Sequence, residues 1–224
     1  MMEKRDQVYT DFFDEEKVGN ITVGHPLISM WMYPRETIEE VPSKKTSPMI
    51  YMLIYLPGLS VSLNFAFNFG TGDGVAFSHV IIKVLLQAII MGIGVWFLYS
   101  LFIFWIGKLF KGQASWKETS HAFAWGQVPL LGPLLISWPL HFYLFREELF
   151  TSNQVYLDSQ QMMLYYTATG VDVIFSLWYI IVLSQAIGAS HKFSSWKGFV
   201  TFLLSVLFIV AISIGIIYLL SYFV

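Results

Sequence analysis

Five long apolar runs dominate the second part of the chain and predict its architecture. They cover Met49–Phe69, Val80–Ile106, His121–Tyr143, Ala168–Gly188 and Gly198–Phe223. A helix needs about 20 apolar residues to cross the hydrocarbon core of a bilayer, and each run is at least that long. Backbone that faces lipid must satisfy its own hydrogen bonds, so each run is predicted to be helical. The pattern therefore predicts an all-α, polytopic membrane protein, a bundle of five transmembrane helices.

The first 48 residues have a different, charged pattern. They hold six basic and nine acidic residues and no apolar run like the core of a signal peptide, so no cleaved leader is expected there. Residues 21–41 combine a short apolar segment around Trp31 with Pro34 and several glutamates, an order that favours a helix start. We expect an amphipathic segment that lies on the membrane surface or folds under the bundle; an ordinary linker is the alternative. The chain thus divides into a tail, residues 1–48, and a membrane domain, residues 49–224.

Lysine and arginine residues are distributed unevenly between the two ends of five alternating spans. Eleven of the 13 lie in the tail, in the connection after the second run or in the connection after the fourth run. Basic residues in short connections stay on the cytoplasmic side. The distribution predicts a short cytoplasmic N-terminal tail and an extracellular C-terminus, and we expect a multi-pass protein of the plasma membrane.

Composition narrows the possible functions. Hydrophobic residues make up 56 % of the chain and charged residues 12 %, about half the charged share of a typical soluble protein. A net charge of −2 provides no basic surface for nucleic acid. Cysteine is absent, which excludes disulfides and thiolate metal sites, and no catalytic or nucleotide-binding motif is present. We expect no catalytic residue, no cofactor, no metal site and no nucleic-acid partner.

Polar residues inside the runs form a first candidate site, near the outer ends of three spans. They are Asn64, Asn68, Lys83, Gln87 and Asp172. A carboxylate inside a bilayer is costly unless it is paired, and Lys83 is the one basic residue predicted at that depth. We expect Asp172 to pair with Lys83 or to share a water-filled vestibule with it. The alternative is that Lys83 extends to the headgroups and Asp172 faces the aqueous edge.

A second candidate site lies nearer the bilayer midplane, where prolines interrupt the first and third runs. Its residues are Pro57, Gln127, Pro129 and Pro133. An internal proline removes a backbone donor and kinks a helix, and transporters build midplane sites from broken helices. Prolines are also common in membrane helices without that role, and Gln127 by itself favours an interhelical hydrogen bond. Small residues spaced four apart in every run, such as Ala88 and Gly92, favour a compact bundle.

Three segments of the chain carry recognisable patterns. They are Leu27–Ile38, which contains the pattern W-x-x-P-R-x-T, the connection Gly107–Trp116 followed by Gly126–Pro129, and Ala186–His191. Together they resemble bacterial Yip1-family proteins. The resemblance extends from about Leu27 onward. It implies a five-span protein with a cytoplasmic tail, as the hydropathy pattern does independently. For eukaryotic relatives it implies vesicle traffic and contact with prenylated Rab-type GTPases, which have no counterpart in bacteria, and it provides no catalytic residue.

We therefore predict a non-catalytic membrane protein that organises the membrane or binds lipid and protein partners, the latter through its tail. The alternative is a small-solute or lipid transporter that uses the kinked first and third spans. A lipid-modifying enzyme, with Asp172 beside His79 or His141, is the third interpretation. A transporter needs an accessible cavity near Gln127 and Pro129, whereas a scaffold is packed there. The sequence leaves the oligomeric state open.

Overall fold

The computed structural model describes residues 25–41, 48–152 and 156–222, and every regular element among them is helical. Five segments of this part are long and apolar enough to cross a membrane: Pro48–Asn68, Phe77–Leu109, Trp116–Glu148, Ser159–His191 and Ser195–Leu220. The prediction of an all-α protein with five spans is confirmed. Residues 1–24 of the predicted tail and residues 223–224 at the end of the fifth run lie outside the described residues.

Two short helices precede the first span and pack against the bundle. Helix α1 spans Pro26–Met32 and α2 spans Pro34–Glu40; each begins with a proline, whose fixed φ suits the first helical turn. Met30 is fully buried in the main apolar core. The ring of Trp31 meets that of Phe175, halfway along the fourth span, edge to face with centroids 5.7 Å apart. The part of segment 21–41 that the structure describes therefore contacts the core of the bundle.

The first two spans cross closely because both carry a glycine at the crossing. Helix α3 spans Pro48–Asn68 and α4 spans Phe77–Leu109. A Cβ atom added at Gly58 would collide with backbone atoms of α4, and one added at Gly92 would lie 2.5 Å from a backbone carbonyl oxygen of α3. Side chains of any size would hold the helices further apart. The small residues in these two runs therefore allow the helices to contact through their backbones.

The third span is not one helix but a series of short ones. It begins at a capping box, because the Ser115 side chain accepts from the Glu118 amide and Glu118 in turn accepts from the Ser115 amide. The pieces are α5 (Trp116–Trp125), a 3₁₀ turn (Val128–Leu130), α6 (Leu131–Leu135) and α7 (Ser137–Phe145). Prolines lie in the turn, in α6 and in α7, and none can donate a helical hydrogen bond. By contrast, α3 continues through Pro57 as a single helix.

The fourth span lies at the centre of the bundle and the fifth at its edge. Helix α8 (Ser159–His191) begins at a second capping box, at Asp158, and packs against α2, all three helices of the third span and the fifth span. Helix α9 (Ser195–Leu220) packs against α8 and α4. Beyond Ser205 its side chains are exposed or half-buried within the monomer, so the surroundings of that half are lipid or another chain.

Two loops close the end of the bundle at which α3 ends and α8 begins. The amide of Gly72 donates to the carbonyl of Phe150 (2.7 Å), and the amide of Ser152 donates to Oδ1 of Asp73 (2.8 Å). Hydrogen bonds from the side chain and the backbone of Ser152 hold the pKa of Asp73 below its usual range. The loop after the first span is thereby joined to the loop after the third.

Candidate functional site

A cavity of about 370 Å³ lies near the end of the bundle where α3 ends and α8 begins; we call it the distal cavity. Its polar lining residues are Ser60, Asn64, Asn68, His141, Tyr165, Thr169, Asp172 and Ser176. Three of the five residues predicted for the first candidate site, Asn64, Asn68 and Asp172, therefore line one cavity. Helices α3, α7 and α8 supply these side chains, and the 3₁₀ turn and α6 supply apolar neighbours.

The other two predicted residues, Lys83 and Gln87, lie elsewhere. Both belong to α4, and no residue of α4 lines the distal cavity. The Lys83 side chain is exposed, and Gln87 is half-buried. Helix α4 packs against α3, α5 and α9, so Lys83 and Asp172 belong to different parts of the bundle. Among the described residues, no ion pair joins the two.

The side chains of the distal cavity present hydrogen-bond acceptors. Nδ2 of Asn64 donates to the carbonyl of Ser60, and Nδ2 of Asn68 donates to the carbonyl of Asn64, both at 2.7 Å. The hydroxyl of Thr169 donates to the carbonyl of Tyr165 (3.1 Å). One donor of each side chain is used within its own helix, and the amide and hydroxyl oxygens remain as acceptors.

Asp172 carries a carboxylate oxygen that nothing in the described structure satisfies. Its Oδ1 atom is buried and has no hydrogen-bond partner. Nδ1 of His141 is also buried without a partner, and the two side chains are close enough to interact electrostatically. A buried polar atom of this kind costs free energy until a ligand or water meets it.

Aromatic rings form much of the remaining wall, from Phe67, Trp138 and Tyr165. The ring of His141 packs against Tyr165 (5.8 Å between centroids) and Phe67 (5.9 Å). The sequence analysis named His141 only in the enzyme interpretation, beside Asp172. In the sequence, His141 lies near the end of the third run and Asp172 near the start of the fourth run. These positions bring the two residues to the same end of two antiparallel spans.

The layer between this cavity and the opposite end of the bundle is packed. Gln127, Val128 and Pro129 are buried, and Nε2 of Gln127 donates to the carbonyl of Phe123 (3.1 Å) and to the hydroxyl of Tyr179 on α8 (3.4 Å). The second of these is the interhelical hydrogen bond that the sequence favoured for Gln127. Of the four predicted midplane residues only Pro133 lines a described cavity, the distal one, while Pro57 is buried within α3.

A second cavity, of about 540 Å³, lies at the other end of the bundle, between α2, α5 and the end of α8; we call it the proximal cavity. Its ionisable lining residues are Glu39, Glu118, His121 and Lys192. Glu39 lies 3.5 Å from the guanidinium of Arg35, and Glu118 accepts two hydrogen bonds from Ser115 at 2.7 Å. Both acidic side chains therefore already have partners within the protein.

Two nitrogen atoms of the proximal cavity residues lack partners. Nδ1 of His121 donates to the carbonyl of Lys117 (2.9 Å), which leaves Nε2, a buried atom without a partner. The indole nitrogen of Trp125, a residue only 3 % exposed, is also without a partner. The sequence analysis did not predict this site, because it depends on how α2 meets α5 and α8.

The segments that carry the family resemblance meet beside the proximal cavity. The buried ring of His191 fills the space that a side chain at Gly107 or Gly112 would occupy, and its Nε2 lies 3.2 Å from the hydroxyl of Thr119. The amide of Gln113 donates to the carbonyl of His191 (3.1 Å). Arg35, from the tail segment, donates to the carbonyl of Phe193 (3.3 Å).

Comparison with known families gives one match that covers most of the chain. A family model described as the Yip1 domain matches residues 28–217. The matched region begins within α1, includes α2 and ends within α9. No curated protein and no solved structure matches the chain.

Proposed function

The chain belongs to the Yip1 domain family, and on that premise we propose that it binds lipid and protein partners in the membrane without catalysing a reaction. Its five apolar spans make it a multi-pass membrane protein. The specific proposal concerns what the two cavities do. They serve as separate binding pockets, one at each end of the bundle, and are not parts of a path through it.

The packed layer between the cavities supports this proposal most directly. From Gly126 to Pro129 every residue of the third span is buried, and on α8 Val182, Leu183, Ala186 and Ile187 are fully buried. A conduit needs polar, hydrated surface at this depth. Here the Gln127 side chain is hydrogen-bonded to the protein, the buried Ser184 hydroxyl donates to the carbonyl of Ile180, and the other buried residues named above are apolar.

The position of the N-terminal helices favours a protein partner at the proximal end. Helices α1 and α2 are held against the bundle by Met30, by Trp31 and by the hydrogen bond from Arg35 to the Phe193 carbonyl. The segment that precedes α1 in the sequence, residues 1–24, holds nine charged residues. Eleven of the 13 lysine and arginine residues belong to the tail or to the connections after the second and fourth runs, which supports a cytoplasmic N-terminus and an extracellular C-terminus. The resemblance to bacterial family members supports a location in the plasma membrane.

Reconstitution into sealed liposomes tests the proposal. We expect the protein to transport neither fluorescent lipid between leaflets nor small polar solutes faster than empty liposomes do, because the layer around Gln127 is closed. Mass spectrometry of the purified protein should find bound lipid in the same preparation, with unchanged lipid chemistry.

A pair of matched variants tests whether the packed layer around Gln127 is what prevents flux. Val128→Ser introduces a small polar group at a fully buried position, whereas Val210→Ser makes the same change on the exposed half of α9. Flux by the unaltered protein at a rate proportional to its amount, or lipid converted to a new product, would contradict the proposal. Leak that arises only in Val128→Ser agrees with it.

Transport remains the second candidate, because the broken third span lies between the two cavities. Trp125 lines the proximal cavity, and Leu130 and Pro133 line the distal cavity. A movement at the 3₁₀ turn would open one cavity toward the other, the way discontinuous helices work in transporters. Substrate-dependent flux in the liposome experiment would favour this candidate.

A further inference from the structure

We propose that the distal cavity binds an organic ammonium group, either the headgroup of an aminophospholipid or a free amine. This inference deepens the proposed function and rests on it in one respect, that the distal cavity is a binding pocket. Neither candidate site predicted from the sequence specified a ligand. The chemistry of the residues that line the distal cavity specifies one.

The first argument is the charge of the lining. Asp172 is the acidic side chain of the distal cavity, His141 is its one ionisable base, and the described lining contains no lysine and no arginine. A carboxylate with a buried oxygen that lacks a partner is stabilised by a cation and destabilised by an anion. The cavity therefore selects for a positively charged group.

The second argument is the direction of the hydrogen bonds. Asn64, Asn68 and Thr169 each use one donor on a carbonyl of the same helix. Their side-chain oxygens and Oδ1 of Asp172 remain as acceptors. A primary ammonium has three donors and no acceptor, so it complements such a lining.

The third argument distinguishes an organic ammonium from an inorganic cation. Among the described residues, no three histidine, aspartate or glutamate side chains group closely enough to hold a metal ion. The rings of Phe67, Trp138 and Tyr165 instead form the walls, and aromatic faces attract organic cations through the ring quadrupole. A volume of about 370 Å³ is large enough for an ethanolamine-sized group and lies in the usual range for small-molecule sites.

Equilibrium binding by the full-length protein tests this inference. The protein is placed in nanodiscs of phosphatidylglycerol, which carries no ammonium group, in excess potassium chloride. Ethanolamine is titrated in one arm, and phosphatidylethanolamine replaces part of the lipid in the other. Ethylene glycol, which matches ethanolamine in size without the charge, is the ligand control.

We expect saturable binding in at least one arm and none of ethylene glycol. Asp172→Asn should weaken that binding by about tenfold or more, because a contact with a charged partner is lost. Glu147→Gln removes the same charge from an exposed residue near the same end and should leave the affinity unchanged. Thr169→Val, which removes one acceptor and keeps the side-chain shape, should weaken binding by about two- to tenfold and provides a second test if Asp172→Asn does not fold.

The two arms identify the source of the ligand. Binding of phosphatidylethanolamine alone assigns the cavity to a lipid headgroup, and binding of ethanolamine as well assigns it to the ammonium group itself. The inference is overturned if neither binds, or if Asp172→Asn and Thr169→Val bind as tightly as the unaltered protein. Flux in the liposome experiment would contradict the proposed function and leave ammonium binding intact, so the two failures are distinguishable.

Discussion

Replacing Gly92 with alanine is expected to destabilise the protein by about 1–3 kcal/mol or more, the range for overpacking a tight interior. The added Cβ atom would lie 2.5 Å from the carbonyl oxygen of Ile54 and 3.3 Å from the Cα atom of Tyr55. Both contacts are with backbone atoms, so a change of rotamer cannot relieve them. Helices α3 and α4 would have to separate, and their shared interface would be lost.

Gly94→Ala is the matched control, because it makes the same change two residues later on the same helix. Nothing lies within 4 Å of a Cβ atom added there, and alanine is the better helix former by up to about 1 kcal/mol. Gly94→Ala is therefore expected to be neutral or slightly stabilising. Reversible unfolding in mixed detergent micelles measures both variants, and equal free energies of unfolding would contradict the backbone contact at the crossing.

The second large effect is expected at His191, where α8 meets the connection between α4 and α5. Its ring is fully buried, stacks on Phe193 with 5.3 Å between centroids and fills the space above Gly107 and Gly112. His191→Ala would leave a cavity of ring size and remove the hydrogen-bonding contact with Thr119. We expect a loss of about 2–4 kcal/mol in the free energy of unfolding.

Hydrogen exchange distinguishes a local effect of His191→Ala at this junction from a general loss of stability. Hydrogen exchange should increase most at the Gln113 amide, which donates to the His191 carbonyl, and at the start of α5. His79→Ala removes an exposed histidine near the other end of the bundle and should change neither the free energy of unfolding nor the exchange. If His191→Ala behaves like His79→Ala, the buried ring does not hold this junction together.

The positions of the spans along the chain could be predicted from the sequence, because hydropathy and helix caps depend on residues that are close together in the sequence. The first run was placed at Met49–Phe69, and α3 spans Pro48–Asn68. Capping boxes form at Ser115 and Asp158, each from residues only three apart in the sequence. Membership of the Yip1 domain family, read from three short segments, is confirmed by the match over residues 28–217.

What the sequence could not provide is position around each helix and the effect of several prolines in succession. Depth placed Lys83 and Asp172 at one level, yet α4 turns Lys83 away from the distal cavity. The single Pro57 leaves α3 continuous, whereas the third span, with three prolines and two glycines between residues 126 and 139, divides into short helices. The contact of Trp31 with Phe175 depends on tertiary packing that no local pattern encodes.

Site-specific labelling tests the central claim most directly, that two cavities face opposite sides of the membrane and a closed layer separates them. The chain contains no cysteine, so single cysteines at Asn64, His121 and Val128 report without background. With a membrane-impermeant maleimide in oriented vesicles, we predict labelling of Asn64→Cys from one side only, of His121→Cys from the other side only, and of Val128→Cys from neither. Labelling of Asn64→Cys and His121→Cys from the same side, or of Val128→Cys from both sides, would contradict the account.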